Sequence, residues 1–368
     1  AAVSLAAWVG SLPLTLYYFH LISFSALPAN LLIVPLAFLI MVTAVFALVG
    51  GIFSATLAAI FNNANWLFSK LLLWIVHLMS CLPHSFLYVG SPAPAPVTIT
   101  VFDFGAGGGS AIESDGSIWL LDCGPRWQLD GVIVPWLHSR GKSTPEGLLL
   151  THGDARHIGA AEELIGSDPP GVIVESMIDD RSSQRHRIKL KMEQLGIPKS
   201  LHRAGDLIRI SDSATLRILY PPTGLLRDVA DDKALVARLD AGNVRVLFLS
   251  DAGEATWEWL RLHAASELPA DIIVKGTPRS GIPLDREFID AVKPALIVST
   301  AAHFPESERM DAGWMAHVEG RGIRVFRQDF TGAVQIEIRP SEFQAAGFVD
   351  GARFPGPVEQ SGFRPRRR

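Results

Sequence analysis

Residues Leu148–Ala161 read LLLTHGDARHIGAA. Three consecutive leucines mark a short buried strand. Polar residues of metal-ligand type follow at once, with His152, Asp154 and His157 inside six positions. Gly159, Ala160 and Ala161 then lead into a helix. Side chains that leave a strand end on a tight loop can converge on one point, as a metal site requires. Arg156 stands among them as a permanent cation.

Around this stretch the composition divides the chain in two. Residues 1–97 contain no Asp, Glu or Arg, and Lys70 is their only fixed charge. The other 32 basic residues and all 37 acidic residues lie beyond Val97. So sharp a change marks a membrane part joined to a soluble part. The charged part is long enough for one large α/β domain. Its mildly acidic balance gives no overall footprint for nucleic acid, the tail Phe363–Arg368 being a local exception. Two cysteines, Cys81 and Cys123, are too few for a disulfide framework or a cysteine zinc site. The chain starts at Ala1 inside an apolar run without a basic leader, which predicts the C-terminal part of a longer membrane protein.

Apolar runs cover about 1–24, 29–51 and 55–82, the length scale of a bilayer core. Pro13 and Pro35 predict kinks or breaks. Asn30 and Lys70 are the intramembrane polar residues to watch, and Lys70 reads either as a snorkelling side chain or as a pore-lining cation. Ser91–Val97, SPAPAPV, is an extended linker. Strands are expected at Thr98–Phe104, Ile118–Asp122, Val172–Glu175, Asp206–Ile210, Leu216–Tyr220, Ala234–Leu239, Val244–Leu249 and Asp271–Val274, and helices at Leu129–Arg140, Ser182–Leu195 and Glu254–His263. GAGGGS (105–110) lacks the helix-opening Lys-Ser/Thr of a phosphate loop. His186, His202, His263, His303 and His317 have no partners at metal spacing.

These motifs carry a resemblance. Leu12-Pro13, Tyr17-Tyr18-Phe19-His20, Ala29-Asn30-Leu31 and Pro35-Leu36 resemble the end of the membrane competence domain of ComEC-type DNA-internalisation proteins. The histidine loop resembles the H-x-[HD]-x-D-H signature of the metallo-β-lactamase superfamily, with Arg156 where an aspartate is expected. Asp103, Gly105, Gly107, Asp122 and Gly124 match the opening FLDVGQGDAxLI…LIDGG, although Gly108 and Gly109 stand where an acidic residue is expected. Asp251 in LFLSDAG sits at the metal-bridging carboxylate of LLTGD. In KGTPRSG, Thr277 and Pro278 occupy the histidine positions of VxHHGS, while Lys275, Gly276 and Ser280 survive. Pro294–Ser299 resembles the PxxxVIS strand, and Phe326–Ile338 the closing hairpin.

The resemblance implies transmembrane α-helices at 1–90, a linker at 91–97 and an αββα metallo-β-lactamase-like sandwich at 98–340, before a disordered basic tail at 341–368. It implies His152, Asp154, His157 and Asp251 as both metal ligands and catalytic residues, holding one Zn or Mn. With Arg156 and Thr277-Pro278 against a second ion, two-metal hydrolysis is expected to be lost, and the site is then a degenerate one with one ion or none. The implied role is single-stranded DNA passage through the bacterial inner membrane during natural transformation. The protein would be multi-pass, with the soluble domain on the outer face. Its partners would be single-stranded DNA, membrane lipid, the remaining transmembrane part and other DNA-uptake components, with a homo-oligomer left open. The alternative is a membrane-tethered metal-dependent nuclease or phosphodiesterase.

Overall fold

The computed structural model describes residues 2–357 except 83–84, 91–92, 94, 179–180, 226–230 and 301–309. It forms two compact units, Ala1–Ser91 with Pro135–Ser143, and Pro92–Val134 with Thr144–Arg368.

In the first unit the three apolar runs fold as α1 (Ala2–Phe19), α2 (Ala26–Phe53) and α3 (Ala55–Ser80), with the short antiparallel pair β1 (Leu21–Ser23) and β2 (Phe86–Tyr88). Among the described residues α2 is the helix long and apolar enough to cross a membrane. Asparagines and Lys70 dilute the apolarity of α3. Pro13 and Pro35 are absorbed inside α1 and α2. The α2–α3 pair is fixed by a polar contact rather than by greasy packing alone. Asn65 Nδ2 donates to the Ile40 carbonyl at 2.6 Å and to Thr43 Oγ1 at 3.1 Å, the way side-chain amides hold helices in apolar surroundings. Lys70 Nζ lies 5.9 Å from the Trp66 ring centroid.

The second unit is built on two sheets. Its strands in chain order are β3 (Val97–Val101), β4 (Ser110–Ser114), β5 (Ser117–Leu121), β6 (Gly147–Leu150), β7 (Val172–Ser176), β8 (Lys199–His202), β9 (Leu207–Arg209), β10 (Thr215–Tyr220), β11 (Val236–Ala241), β12 (Val244–Ser250), β13 (Ile272–Lys275), β14 (Leu296–Ser299), β15 (Arg324–Arg327), β16 (Val334–Arg339), β17 (Glu342–Gly347) and β18 (Arg353–Pro357). One sheet runs β18-β17-β16-β3-β4-β5-β6-β7-β8, the other β15-β14-β13-β12-β11-β10-β9. From Pro135 on, α4 (Val134–Ser139) belongs to the first unit, and the second unit's helices in chain order are α5 (Ala155–Ile158), α6 (Ala161–Ser167), α7 (Ser183–Leu195), α8 (Glu254–His263), α9 (Arg286–Val292), α10 (Ala312–Gly320) and α11 (Gln328–Thr331).

The period of two along each strand decides what lies where. Ile99, Ile112, Leu121 and Leu149 of the first sheet pack with Leu216, Leu239, Val246 and Ile272 of the second. The opposite face of the second sheet, with Leu247, Ile273 and Ile297, packs with Trp257, Phe288 and Trp314 of α8, α9 and α10. In each sheet the strands beside the histidine loop are parallel, β5-β6-β7-β8 and β12-β13-β14-β15. Their carboxyl ends are where α/β folds place ligands.

Three expectations change. The closing hairpin is β16–β17 (334–347), because Phe326 ends up in β15 on the other sheet, and α11 carries the chain across. Leu129–Arg140 starts as a wide π turn at Leu129–Ile133 before α4. The residues after 341 begin as β17 and β18, not as a disordered tail. Phe343, Ala345 and Phe354 point into the inter-sheet core while Glu342 and Gln344 face out, and that alternation outweighs the Pro, Gly and Arg content. Residues 358–368 lie outside the described residues.

Trp257 is 1% exposed in the core beneath α8. Trp257→Ala should cost about 3–5 kcal/mol and lower the melting temperature by roughly 10 °C in a thermal-unfolding measurement. An unchanged transition would mean that α8 does not anchor this layer.

Candidate metal centre

Two strand ends from one sheet and one from the other deliver the polar residues. β5 ends at Leu121 and the chain turns at Asp122, whose φ of 56° is left-handed. β6 ends at Leu150 and releases Thr151 and His152. On the facing sheet β12 ends in Ser250, also left-handed at φ 50°, and releases Asp251. Non-glycine residues in this region cost of order 1 kcal/mol or more and persist when the surroundings fix them.

Asp122 shows what fixes it. Its Oδ1 accepts the Thr151 N–H at 2.8 Å, and its Oδ2 accepts the Thr151 hydroxyl at 2.6 Å and pairs with His157 Nδ1 at 2.9 Å. Thr151 Oγ1 also lies 2.9 Å from His152 Nδ1 and 2.9 Å from Ser250 Oγ. The Nδ1 atoms of both histidines are thus held by side chains beneath them, which fixes each ring and leaves Nε2 to face outward. His152 and His157 are 1% exposed and their ring centroids are 4.4 Å apart.

The two Nε2 atoms point at Asp251. His157 Nε2 lies 3.0 Å from Asp251 Oδ2 and His152 Nε2 lies 3.9 Å from it. Neither Nε2 has an aligned hydrogen-bond partner although both are buried. Tetrahedral zinc with donors near 2.0–2.1 Å separates its ligands by about 3.3 Å, within this spread. Both imidazoles thus face one carboxylate, His157 paired with it and His152 nearby, and donors of imidazole and carboxylate type suit one divalent ion. Asp122, His152 and His157 also cluster by proximity, but the Asp122 oxygens are spent on Thr151 and His157, so Asp122 is an orienting group.

Asp154, expected as a ligand, is used differently. It caps α5, its Oδ1 accepting the Arg156 N–H at 2.7 Å. The Arg156 guanidinium pairs with the same carboxylate through Nε to Oδ1 and Nη2 to Oδ2, each at 3.3 Å. Thr277 Oγ1 donates to the Thr300 carbonyl, so neither Thr277 nor Pro278 supplies a histidine-like donor.

Close packing accounts for the glycines. A Cβ on Gly108 would come 2.8 Å from the His157 ring, and one on Gly276 would come 1.8 Å from Asp251 Oδ1. The acidic residue expected beyond Gly107 has no room there. A cavity of about 40 Å³ lies against Gly108, Asp122, His157, Ser250 and Lys275. Lys275 is buried and donates to Ser299 Oγ at 3.2 Å. Asp231, also buried, accepts the Arg279 N–H at 2.7 Å. Thr151, Ser250, Lys275 and Asp231 were not singled out as site residues from the sequence. The hydroxyl residue before His152 and the one before Asp251 were its readable signal, since strand-end ligands need such partners.

Charges follow from burial and neighbours. Burial pushes the His152 pKa down, and the charge on His157 adds to that. Burial opposes the charged form of His157 as well, but Asp251 and the hydrogen bond to Asp122 outweigh it and hold its pKa well above the ordinary value. Burial would raise Asp251, yet His157 outweighs it and the carboxylate stays below its usual range. Asp154 is likewise lowered, burial losing to the Arg156 N–H and guanidinium.

Replacing Asp122 by Ala would strand His157 Nδ1 and the Thr151 N–H in a dry interior. About 3–5 kcal/mol of stability should be lost in chemical denaturation. A loss below about 1 kcal/mol would mean that water replaces the carboxylate.

The comparisons with known proteins agree with this division. The competence protein family model matches residues 1–108, and the metallo-beta-lactamase superfamily model matches residues 110–263. The chain is 23% identical to competence protein ComA of Neisseria gonorrhoeae over 216 residues, covering 59% of this chain and 28% of that protein. It is 23% identical to ComE operon protein 3 of Bacillus subtilis (strain 168) over 412 aligned positions, covering 90% of this chain and 51% of that protein. It therefore spans about a quarter to half of the curated relatives it matches. Among solved structures it is similar to Zn²⁺-bound PqqB from Methylobacterium extorquens, with TM-score 0.47, 14% identity, and coverage of 66% of this chain and 100% of that one. It is also similar to CmlA, a diiron β-hydroxylase from Streptomyces venezuelae, with TM-score 0.44, 13% identity, and coverage of 77% and 59%. The two family models thus give this chain a competence segment followed directly by a metallo-beta-lactamase segment.

Proposed function

We propose that this chain serves DNA uptake in natural transformation, as an inner-membrane component that passes single-stranded DNA. The observation that carries this reading is the order of its parts, competence segment first and metallo-beta-lactamase segment second, together with the likeness to two competence proteins. On this reading residues 1–90 cross the membrane more than once, 91–97 link, and the domain from 98 lies on the outer face. Single-stranded DNA, lipid, further transmembrane segments and other uptake components are its partners. The domain has one ion site, with His152, His157 and Asp251 holding Zn or Mn, and it has lost two-metal hydrolysis.

An ion held there would polarise a phosphoryl oxygen and lower the pKa of a bound water. The chain's own residues do the positioning. Asp122 orients the His157 ring, and Thr151 orients His152. The second reading, a membrane-tethered one-ion phosphodiesterase, draws its support from the Nε2 atoms of His152 and His157, both buried and both facing Asp251, an aim that a relic site would not need to keep.

Purified chain incubated with Zn²⁺ should retain one ion per chain by elemental analysis, and His152→Ala should remove it. Two ions in the unsubstituted chain, or none, would sink the one-ion site. In the source cell, the double variant His152→Ala/His157→Ala should keep most of its transformation frequency at normal membrane levels. Abolished transformation with the protein present would shift the reading to obligatory cleavage by the domain.

A further inference from the structure

The helix α3 gathers its polar residues on one side. Asn62, Trp66, Lys70, Trp74 and His77 follow one another at steps of three or four residues, with Asn63 beside them, so they share one face. All six are exposed, Trp66 at 62% and Trp74 at 59%. The opposite face is spent on α2. There Phe61 stacks on Phe46, Asn65 donates to the Ile40 carbonyl, and Ile75 is buried. Between the two faces runs an exposed apolar flank of Ile60, Leu67, Leu71 and Leu78. The residues that dilute the apolarity of α3 are therefore sorted, not scattered.

That sorting decides what can lie against the polar face. Lys70 is ten residues from the nearer helix end, Ser80, which is about 15 Å of helix. Polar and ionisable groups at such depth turn away from lipid, toward protein or water. A second copy of the same face is a poor cover. Neither Ala1–Ser91 nor Pro135–Ser143 contains an Asp or Glu, so Lys70 would meet only like charge or neutral groups. What the face complements is an anion that also carries flat rings. Lys70 Nζ supplies the charge, 5.9 Å from the Trp66 ring centroid. Trp66 and Trp74 lie four residues to either side of Lys70, about 6 Å along the axis each way. A cation set between stacking rings is how proteins hold single strands without reading their sequence, phosphates on the charge and bases on the rings.

We infer that this face of α3 lines a water-filled path and that a single-stranded nucleic acid occupies it, its phosphates on Lys70 and its bases on Trp66 and Trp74. This deepens the uptake reading above and rests on it for placing residues 1–90 in the membrane.

The test uses the full chain in lipid vesicles. Cys81→Ser removes the exposed thiol, and the buried Cys123 is left in place. Single cysteines Asn63→Cys, Lys70→Cys and His77→Cys are then compared with Leu67→Cys and Leu71→Cys on the flank, by reaction with a charged maleimide. The three on the polar face should react and the two on the flank should not. Oligothymidylate should protect Asn63→Cys and His77→Cys. Lys70→Ala and Trp66→Ala should each weaken oligothymidylate binding about 10-fold by fluorescence anisotropy. Lys70→Ala should also flatten the slope of log affinity against log salt by about 0.7. An unreactive polar face is covered by lipid or by another polypeptide segment, which overturns the inference. Equal reaction on face and flank puts α3 in bulk water and overturns it as well. Labelling without protection, with affinity unchanged in both alanine variants, overturns the occupant. The uptake reading fails separately. Transformation unchanged when the chain is deleted from the source cell would sink that reading. Transformation abolished by the deletion but unchanged in Lys70→Ala/Trp66→Ala, at normal membrane levels, would sink this face alone.

Discussion

The Asp122 carboxylate is the constraint on which the candidate site depends. It sits just past the end of β5, and with two oxygens it holds the first residue past β6 and the last histidine of the loop. Those three contacts close a ring between two parallel strand ends and the short helix α5. They also decide which face of each imidazole is free. Without a fixed Nδ1 partner, an imidazole ring can flip and present either nitrogen, and a ligand set would lose its geometry. The second sheet adds its own fixed point, Ser250, within reach of both histidine Nδ1 atoms at 3.5 Å and of Thr151 at 2.9 Å. Left-handed backbone at Asp122 and at Ser250 is the local cost of aiming two strand ends at one place. The inter-sheet core that fixes both strands holds that conformation.

Glycine does the complementary work. The site is crowded enough that two loops reach it only as bare backbone. Gly108 lies against the His157 ring and Gly276 against Asp251. These positions correspond to places where the sequence departs from or keeps the family pattern. Gly276 is kept because no Cβ fits beside the carboxylate. Gly108 replaces an acid, and nothing larger fits beside this imidazole.

Much of the architecture was legible because it follows from periodicity. Three buried leucines and the amphipathic α8 each announce themselves, and Glu254–His263 has the bounds read from the sequence. What was not legible depends on contacts between distant residues. Asp154 and Asp251 look alike as candidate ligands by residue type. Only the fold shows that Asp154 is bound by Arg156, two residues on, while Asp251 arrives from the other sheet to face both histidines. The strands β17 and β18 were hidden by composition, since their prolines, glycines and arginines resemble a loose tail. One phenylalanine in each, Phe343 and Phe354, is enough to seat them on the core.

The charges around the site are paired: His157 lies between Asp122 and Asp251, and Arg156 pairs with Asp154. The same balance sets a condition on loading. An ion entering between His157 and Asp251 must displace the proton that the two carboxylates hold on the imidazole. Metal affinity therefore falls as pH drops, and begins to fall at a higher pH than it would for an unperturbed histidine, because the pKa of His157 is raised.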